Sequence, residues 1–145
     1  MKLEIFIDKE KTEQVLIYAH KKTPLIEAIE QLINENQEIF LGIKDRETVR
    51  LNISEIYCFT VEENKIYAYT KSEKYQLKTR LYKVEERLGE DFVKINQSCI
   101  ANIRKIERFD ANYAGTLKVI FKNGHTDYVS RRNLRKVKER IGLYE

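Results

Sequence analysis

Residues 2–8, KLEIFID, alternate apolar and polar side chains with a period of two, which predicts a half-buried strand. Residues 14–19, QVLIYA, predict a second. Thr23-Pro24 then opens a helix. The threonine hydroxyl can accept from the free first-turn amides, and proline at the first helical position gives up only an N–H without a partner. Leu25, Ile26, Ile29, Leu32 and Ile33 form one apolar stripe, with Glu27, Glu30 and Gln31 outside it. Residues 1–35 therefore predict a small β-β-α lobe with one face to bury, either on the rest of the chain or on a partner.

From Ile39 onward the pattern is almost continuously β. Candidate strands are residues 39–43, 47–53, 56–61, 65–70, 74–79, 92–97, 100–106, 116–122 and 125–130. Asn123-Gly124, between two alternating runs, predicts a hairpin with a type I′ turn and positive φ at both positions. Glu63-Asn64 and Ser72-Glu73 are weaker turn signals. Two short helices interrupt the strands. Leu81, Val84 and Leu88 share a face behind a Thr79 cap, with Gly89 as the stop. Ser130 caps the last helix, whose apolar stripe is Leu134, Val137 and Ile141 and whose other faces carry Arg131, Arg132, Arg135, Lys136, Lys138 and Arg140. There is no internal repeat.

The length of 145 residues, with 42% hydrophobic and 34% charged side chains, suits one ordinary domain plus a small lobe. One proline and five glycines argue against a long flexible linker. No apolar stretch is long enough for a signal peptide core or a membrane span, and Cys58 and Cys99 lack a C-x-x-C or histidine partner motif. The expected compartment is the cytoplasm, with both cysteines reduced.

Charge changes the picture more. Residues 1–43 hold five Lys/Arg and eight Asp/Glu, net −3, whereas residues 44–145 carry a net +7. Such a split points the second part at a polyanion. It sets the expected division: an interaction or dimerisation lobe, residues 1–43, and a binding domain, residues 44–145.

Catalysis is not expected. His20 and His125 are the only histidines, each in a polar segment, and the glycines form neither a dinucleotide fingerprint nor a P-loop. No metal or other cofactor is expected. The basic segments say more. In FVKINQSCIANIRKIER, residues 92–108, a strand runs into a polar Asn96-Gln97-Ser98 corner. Amide side chains can pair bidentately with an adenine edge, and an arginine fork can do so with guanine. The same corner could be an ordinary polar turn. In YVSRRNLRKVKERI, residues 128–141, the cationic helix could be a solvated face or could lie on anionic lipid. Its narrow stripe without Trp or Phe favours docking on a core.

Taken together, these segments resemble the LytTR family of bacterial DNA-binding domains. Ile56-Tyr57-Cys58-Phe59 matches the family's Ile-x-Tyr-Ile/Phe strand, and Glu62 to Tyr67 its following hairpin. Phe92, Asn96, Gln97, Ser98 and Asn102, followed by Ile103-Arg104-Lys105-Ile106, match the corner Phe-x-x-x-His-x-Ser-x-x-x-Asn. Ser130-Arg131-Arg132-Asn133 matches the closing Ser-Arg-Arg/Lys. The match runs in order over roughly residues 45–142. The chain departs from the pattern at Asn96, usually His, and at Cys99, often Tyr or Phe.

The resemblance implies a mainly β, elongated stack of antiparallel sheets with short helices, preceded here by the β-β-α lobe. It implies a sequence-specific, duplex-DNA-binding transcriptional regulator that reaches successive grooves through loops and strand ends. Carried onto this chain, the contacts fall at the 63–65 turn, the corner and the start of the last helix. Gln97 and Arg132 are the implied base readers, with Lys65 a third. Asn96 and Ser98 position the corner, while Arg131 and Lys136 meet phosphate. Family sites are commonly paired repeats, which implies a homodimer on DNA. Residues 1–43 are too short for the receiver domain many members carry, so the chain resembles the stand-alone subgroup, often restrained by a membrane protein. Two other readings stay open on the residues alone. One is a protein-interaction module with a basic strip. The other is an RNA or single-strand binder stacking bases on some of the nine tyrosines.

Overall fold

The computed structural model describes residues 1–35, 39–111 and 115–142. Three of its strands are apolar on both faces, and they fix the architecture. In β3 (Cys58–Glu62), β6 (Phe92–Asn96) and β7 (Cys99–Asn102), successive side chains enter two different cores. Phe59, Phe92 and Ile100 point one way, while Cys58, Val93, Ile95, Cys99 and Ala101 point the other. A strand buried on both faces must be covered twice, and the rest of the chain supplies the two covers.

The described strands form two antiparallel sheets. The larger has the order β2-β1-β5-β4-β3-β7-β6, using β1 (Ile39–Lys44), β2 (Glu47–Asn52), β4 (Lys65–Tyr69) and β5 (Lys74–Leu77). The smaller is β10-β9-β8, from β8 (Ile106–Ala111), β9 (Leu117–Phe121) and β10 (Thr126–Val129). Leu81 and Val84 of the short helix α2 (Leu81–Glu86) close the first core, where Phe40 and Phe59 meet edge to face at 5.1 Å. The second core lies between the large sheet and the small one, with Leu117, Val119, Phe121 and Val129 joined by Val137 of α3 (Arg131–Ile141).

The chain divides into two compact units, Met1–Gln37 and Glu38–Glu145. Residues 39–43, expected with the first lobe, are part of the second unit's sheet, because Ile39–Lys44 pairs along its full length with Glu47–Asn52. In the first unit the helix is present as α1 (Pro24–Glu35), capped as expected by Thr23, whose Oγ1 accepts from the Ile26 amide at 3.4 Å. The two expected strands are not formed as a ladder. Residues 2–8 and 14–19 carry no strand assignment, and their side chains are exposed. An isolated pair of strands is marginal in water, and the unit's described residues supply no third strand to stack on them.

Turn chemistry also differs from expectation. Asn123-Gly124 is not a type I′ turn: only Gly124 has positive φ, at 88°. Gly124 N donates to Phe121 O and Phe121 N to His125 O, a type I turn closed by a glycine bulge. The I′ positions are instead Asp45-Arg46 (φ 49° and 71°) and Glu63-Asn64 (φ 51° and 64°). Thr79 is not a cap either: α2 starts after Arg80, and no side chain caps it. Finally, the expected strand 100–106 is broken by a 3-10 turn at Ile103–Lys105, which lets the chain leave the large sheet and start the small one at β8.

Asn102 makes that crossover. It is 2% exposed, its Nδ2 donates to Ile56 O at 2.8 Å, and its Oδ1 accepts from the Arg104 amide at 3.1 Å. Asn102→Ala would leave a buried carbonyl without its donor, at a cost of about 1–3 kcal/mol. Urea unfolding should show a lower midpoint with an unchanged slope.

Candidate nucleic-acid interface

The antiparallel pairing of β3 with both β4 and β7 sends two turns to the same end of the large sheet. One is Glu63-Asn64 between β3 and β4, and the other is Gln97-Ser98 between β6 and β7. The ends are tied directly, since Val61 N donates to Ser98 O at 2.8 Å. The second core then brings a third element alongside. Ser130 N donates to Ile95 O at 2.9 Å, and Asn133 Nδ2 donates to Lys94 O at 3.0 Å, which fixes the first turn of α3 on β6.

Asn96 is the joint of this assembly. Its Nδ2 donates to Asp127 Oδ1 at 2.9 Å and to Tyr128 O at 2.7 Å, while its Oδ1 accepts from the Ser98 amide at 2.8 Å. One amide group thereby holds the corner closed and couples it to β10. A register shift between Lys94 and Asn96 turns the strand end toward this contact. Both polar atoms of the Asn96 side chain are used, and together they close the corner.

The structure places the expected site residues as follows. Lys65, Gln97, Ser98, Arg131, Arg132 and Lys136 are exposed. Among the described residues, the side chains of Lys65, Gln97, Arg131, Arg132 and Lys136 have no hydrogen bond or ion pair. Arg131 and Arg132 sit in the first turn of α3, behind Ser130, whose Oγ accepts from the Asn133 amide at 3.3 Å. Further along the helix two arginines are engaged. Arg135 pairs with Glu139 at 3.4 Å, Lys138 is half-buried, and Arg140 donates to Phe92 O at 3.2 Å and to Glu90 O. Lys136 lies among them with its ammonium group in solvent.

Two residues that sequence reasoning passed over support the site. Asp127 accepts from Asn96 and from the Tyr128 amide, and its signal was a charge on the inward phase of β10, in step with buried Val129. Glu62, at the mouth of the 63–64 turn, accepts from Thr60 Oγ1 and Tyr69 OH at 2.6 Å each and from Lys74 Nζ at 3.1 Å. Burial opposes its charge, but these donors outweigh it and hold the carboxyl below its ordinary pKa. Its negative charge is thus committed inward. Behind the corner, Cys58 and Cys99 are buried free thiols on adjacent strands, and His125 stacks on Tyr69 at 4.2 Å. A hydrogen bond from Cys99 brings the Cys58 thiol down to about 7, and the Cys58 contact raises His125. No group of three or more metal-ligating side chains occurs among the described residues, nor does any helix there long and apolar enough to cross a membrane.

Comparison with known proteins bears on this geometry. The LytTr DNA-binding domain family matches residues 46–142. Uncharacterized HTH-type transcriptional regulators of Staphylococcus aureus strains MSSA476 and NCTC 8325 are each 32% identical over 146 residues, covering 99% of both chains. A solved LytTr DNA-binding domain from Bacillus cereus superposes with a TM-score of 0.69 at 17% identity, over 74% of this chain and 99% of that one.

The Asn96 joint generates a direct test. Asn96→Ala removes the donor to Tyr128 O and the acceptor for Ser98 N, so stability should fall by about 1 kcal/mol. The Ser98 amide should lose protection in hydrogen exchange while the Val119 amide, deep in the second core, keeps it.

Proposed function

The chain belongs to the LytTR family of DNA-binding domains, and from that premise we propose that it is a transcriptional regulator that reads specific sequences in duplex DNA. The observation carrying this reading is the row of three elements at one end of the second unit, the 63–65 turn, the 96–98 corner and the first turn of α3, held together by Asn96, Val61 and Ser130. Each offers exposed donors from a rigid base, as base and phosphate recognition requires. Gln97 and Arg132 read base edges, with Lys65 reaching a third contact. Asn96 and Ser98 set the corner, and Arg131 and Lys136 neutralise phosphates.

The mode of docking differs from a helix laid along a groove. α2 and α3 are separated by five strands, so no two described helices form a helix-turn-helix unit. Farther along α3, Arg135 pairs with Glu139 and Arg140 donates to Glu90 O and Phe92 O, whereas Arg131 and Arg132 of the first turn keep their guanidinium groups unpaired among the described residues. A single protomer covers little DNA surface, so high affinity calls for two protomers on paired repeats.

Arg132→Ala should lower specific affinity by about 1–3 kcal/mol and relax preference at one base position. Gln97→Ala should do the same at another position. Lys136→Ala should weaken all sequences alike and flatten the salt dependence by about one unit. Binding-site selection on these variants and on Arg135→Ala decides the matter; unchanged motifs for both Arg132→Ala and Gln97→Ala would sink the assignment of readers. A fragment of residues 38–145 should retain binding to a single duplex repeat in gel shifts against single-stranded and RNA competitors, while residues 1–37 should bind none.

A further inference from the structure

The amino-terminal unit presents two period-two segments, residues 2–7 and 14–19, whose backbone lacks partners among the described residues and whose apolar side chains are exposed. Among the described residues, no backbone hydrogen bond joins residues 2–7 or 14–19 to anything, and Leu3, Ile5 and Ile7 are 82%, 74% and 89% exposed. Unpaired backbone beside a row of exposed apolar side chains is an open pairing edge, which soluble proteins cover.

We propose that residues 2–8 pair antiparallel with the same residues of a second copy of this chain, in the register that sets Ile5 opposite Ile5. This names the surface behind the two-protomer reading above and rests on that reading only for its role on DNA. The occupant is identified by the sequence itself. In this register Lys2 faces Asp8, Leu3 faces Ile7, and the pattern repeats by two-fold symmetry on the other side of Ile5. Opposite charges and apolar pairs thus meet at every position except Glu4 against Phe6. The neighbouring registers that keep the apolar face together fail. Shifting one way puts Glu4 against Glu4, and shifting the other puts Glu4 against Asp8. A parallel pair would stack Lys2 on Lys2, Glu4 on Glu4 and Asp8 on Asp8. Within one copy Lys2 already contacts Glu4 at 2.9 Å, an exposed pair that leaves the ammonium available to the partner's Asp8. Pairing would create one continuous apolar face from Leu3, Ile5 and Ile7 of both copies. The exposed stripe of α1, with Leu25 55% and Ile33 46% exposed, is the cover the same unit offers it. The contact is isologous and closes at two copies.

The test uses the full chain without DNA. Sedimentation equilibrium should give twice the chain mass at micromolar concentration. Opposed residues of an antiparallel pair lie within disulfide reach, so Ile5→Cys should cross-link to a dimer under mild oxidation at least tenfold faster than Glu4→Cys or Phe6→Cys. Lys2→Glu should weaken self-association at least several-fold, and Lys2→Glu combined with Asp8→Lys should restore it. A monomer, an open series of higher oligomers, equal cross-linking at residues 4, 5 and 6, or no rescue by the double exchange would each overturn the proposal. A monomer would leave the segment to another protein or to residues 14–19. The DNA reading is scored separately by gel shift on a single repeat. A dimer that binds no duplex would sink that reading alone, and a monomer that binds the single repeat would sink the pairing alone.

Discussion

Burial of β3, β6 and β7 on both faces is the constraint from which the second unit is built. A central strand that alternates Cys58 with Phe59, or Cys99 with Ile100, has no solvent face. It must have apolar cover above and below, and the two covers differ in kind. One is a single short helix, α2, together with the outer strands of the same sheet. The other is a second sheet with a helix across it, reached by the break at Asn102 and the 3-10 turn that follows. Phe121, Val129 and Val137 are fully buried because they complete that second cover.

The candidate interface is a by-product of the same packing. Because β10 and the start of α3 must lie on β6 to cover Val93 and Ile95, the exposed first turn of α3 is delivered beside the corner at the end of β6. Asn96 takes advantage of this closeness, satisfying a carbonyl of β10 and an amide of its own turn at once. The site is therefore rigid where it is anchored and polar where it projects. Arg131 and Arg132 follow a capped helix start, and Gln97 sits in a two-residue turn pinned by Val61. The backbone beneath these side chains is already ordered by its own hydrogen bonds, so the turn and the helix start need no folding to present them. Glu62 and Asp127 use their carboxylate oxygens to accept from Thr60, Tyr69, Lys74, Asn96 and the Tyr128 amide.

The first unit follows a different logic. Its helix is locally determined by Thr23-Pro24 and an apolar stripe, but its two extended segments are period-two sequences with no partner strand. Their apolar side chains are exposed, and the charges at Lys2 and Asp8 lie symmetrically about Ile5.

Much of the molecule was legible from the sequence because it rests on local rules. Period-two runs located most strands, Ser130 and Thr23 marked two helix starts, and the order of Ile56-Tyr57, Asn96-Gln97-Ser98, Asn102 and Ser130-Arg131-Arg132 identified the family. What local rules could not reach depends on partners distant in the chain. The type I′ turns fall at Asp45-Arg46 and Glu63-Asn64, whereas at Asn123-Gly124 only the glycine takes positive φ, because the register of β9 with β10 there calls for a type I turn with a glycine bulge. The strand at 106–111 was missed because its pattern, half-buried on one side only, became meaningful once Asn102 turned the chain into a second sheet. Ile39–Lys44 belongs with the large sheet because its pairing partner lies after it, in β2. The roles of Asp127 and Glu62 could not be read at all without knowing that Asn96 and Tyr69 come within hydrogen-bond distance. Sequence settled which residues are polar and projecting; only the tertiary packing of two cores around three strands decided which of them stand together.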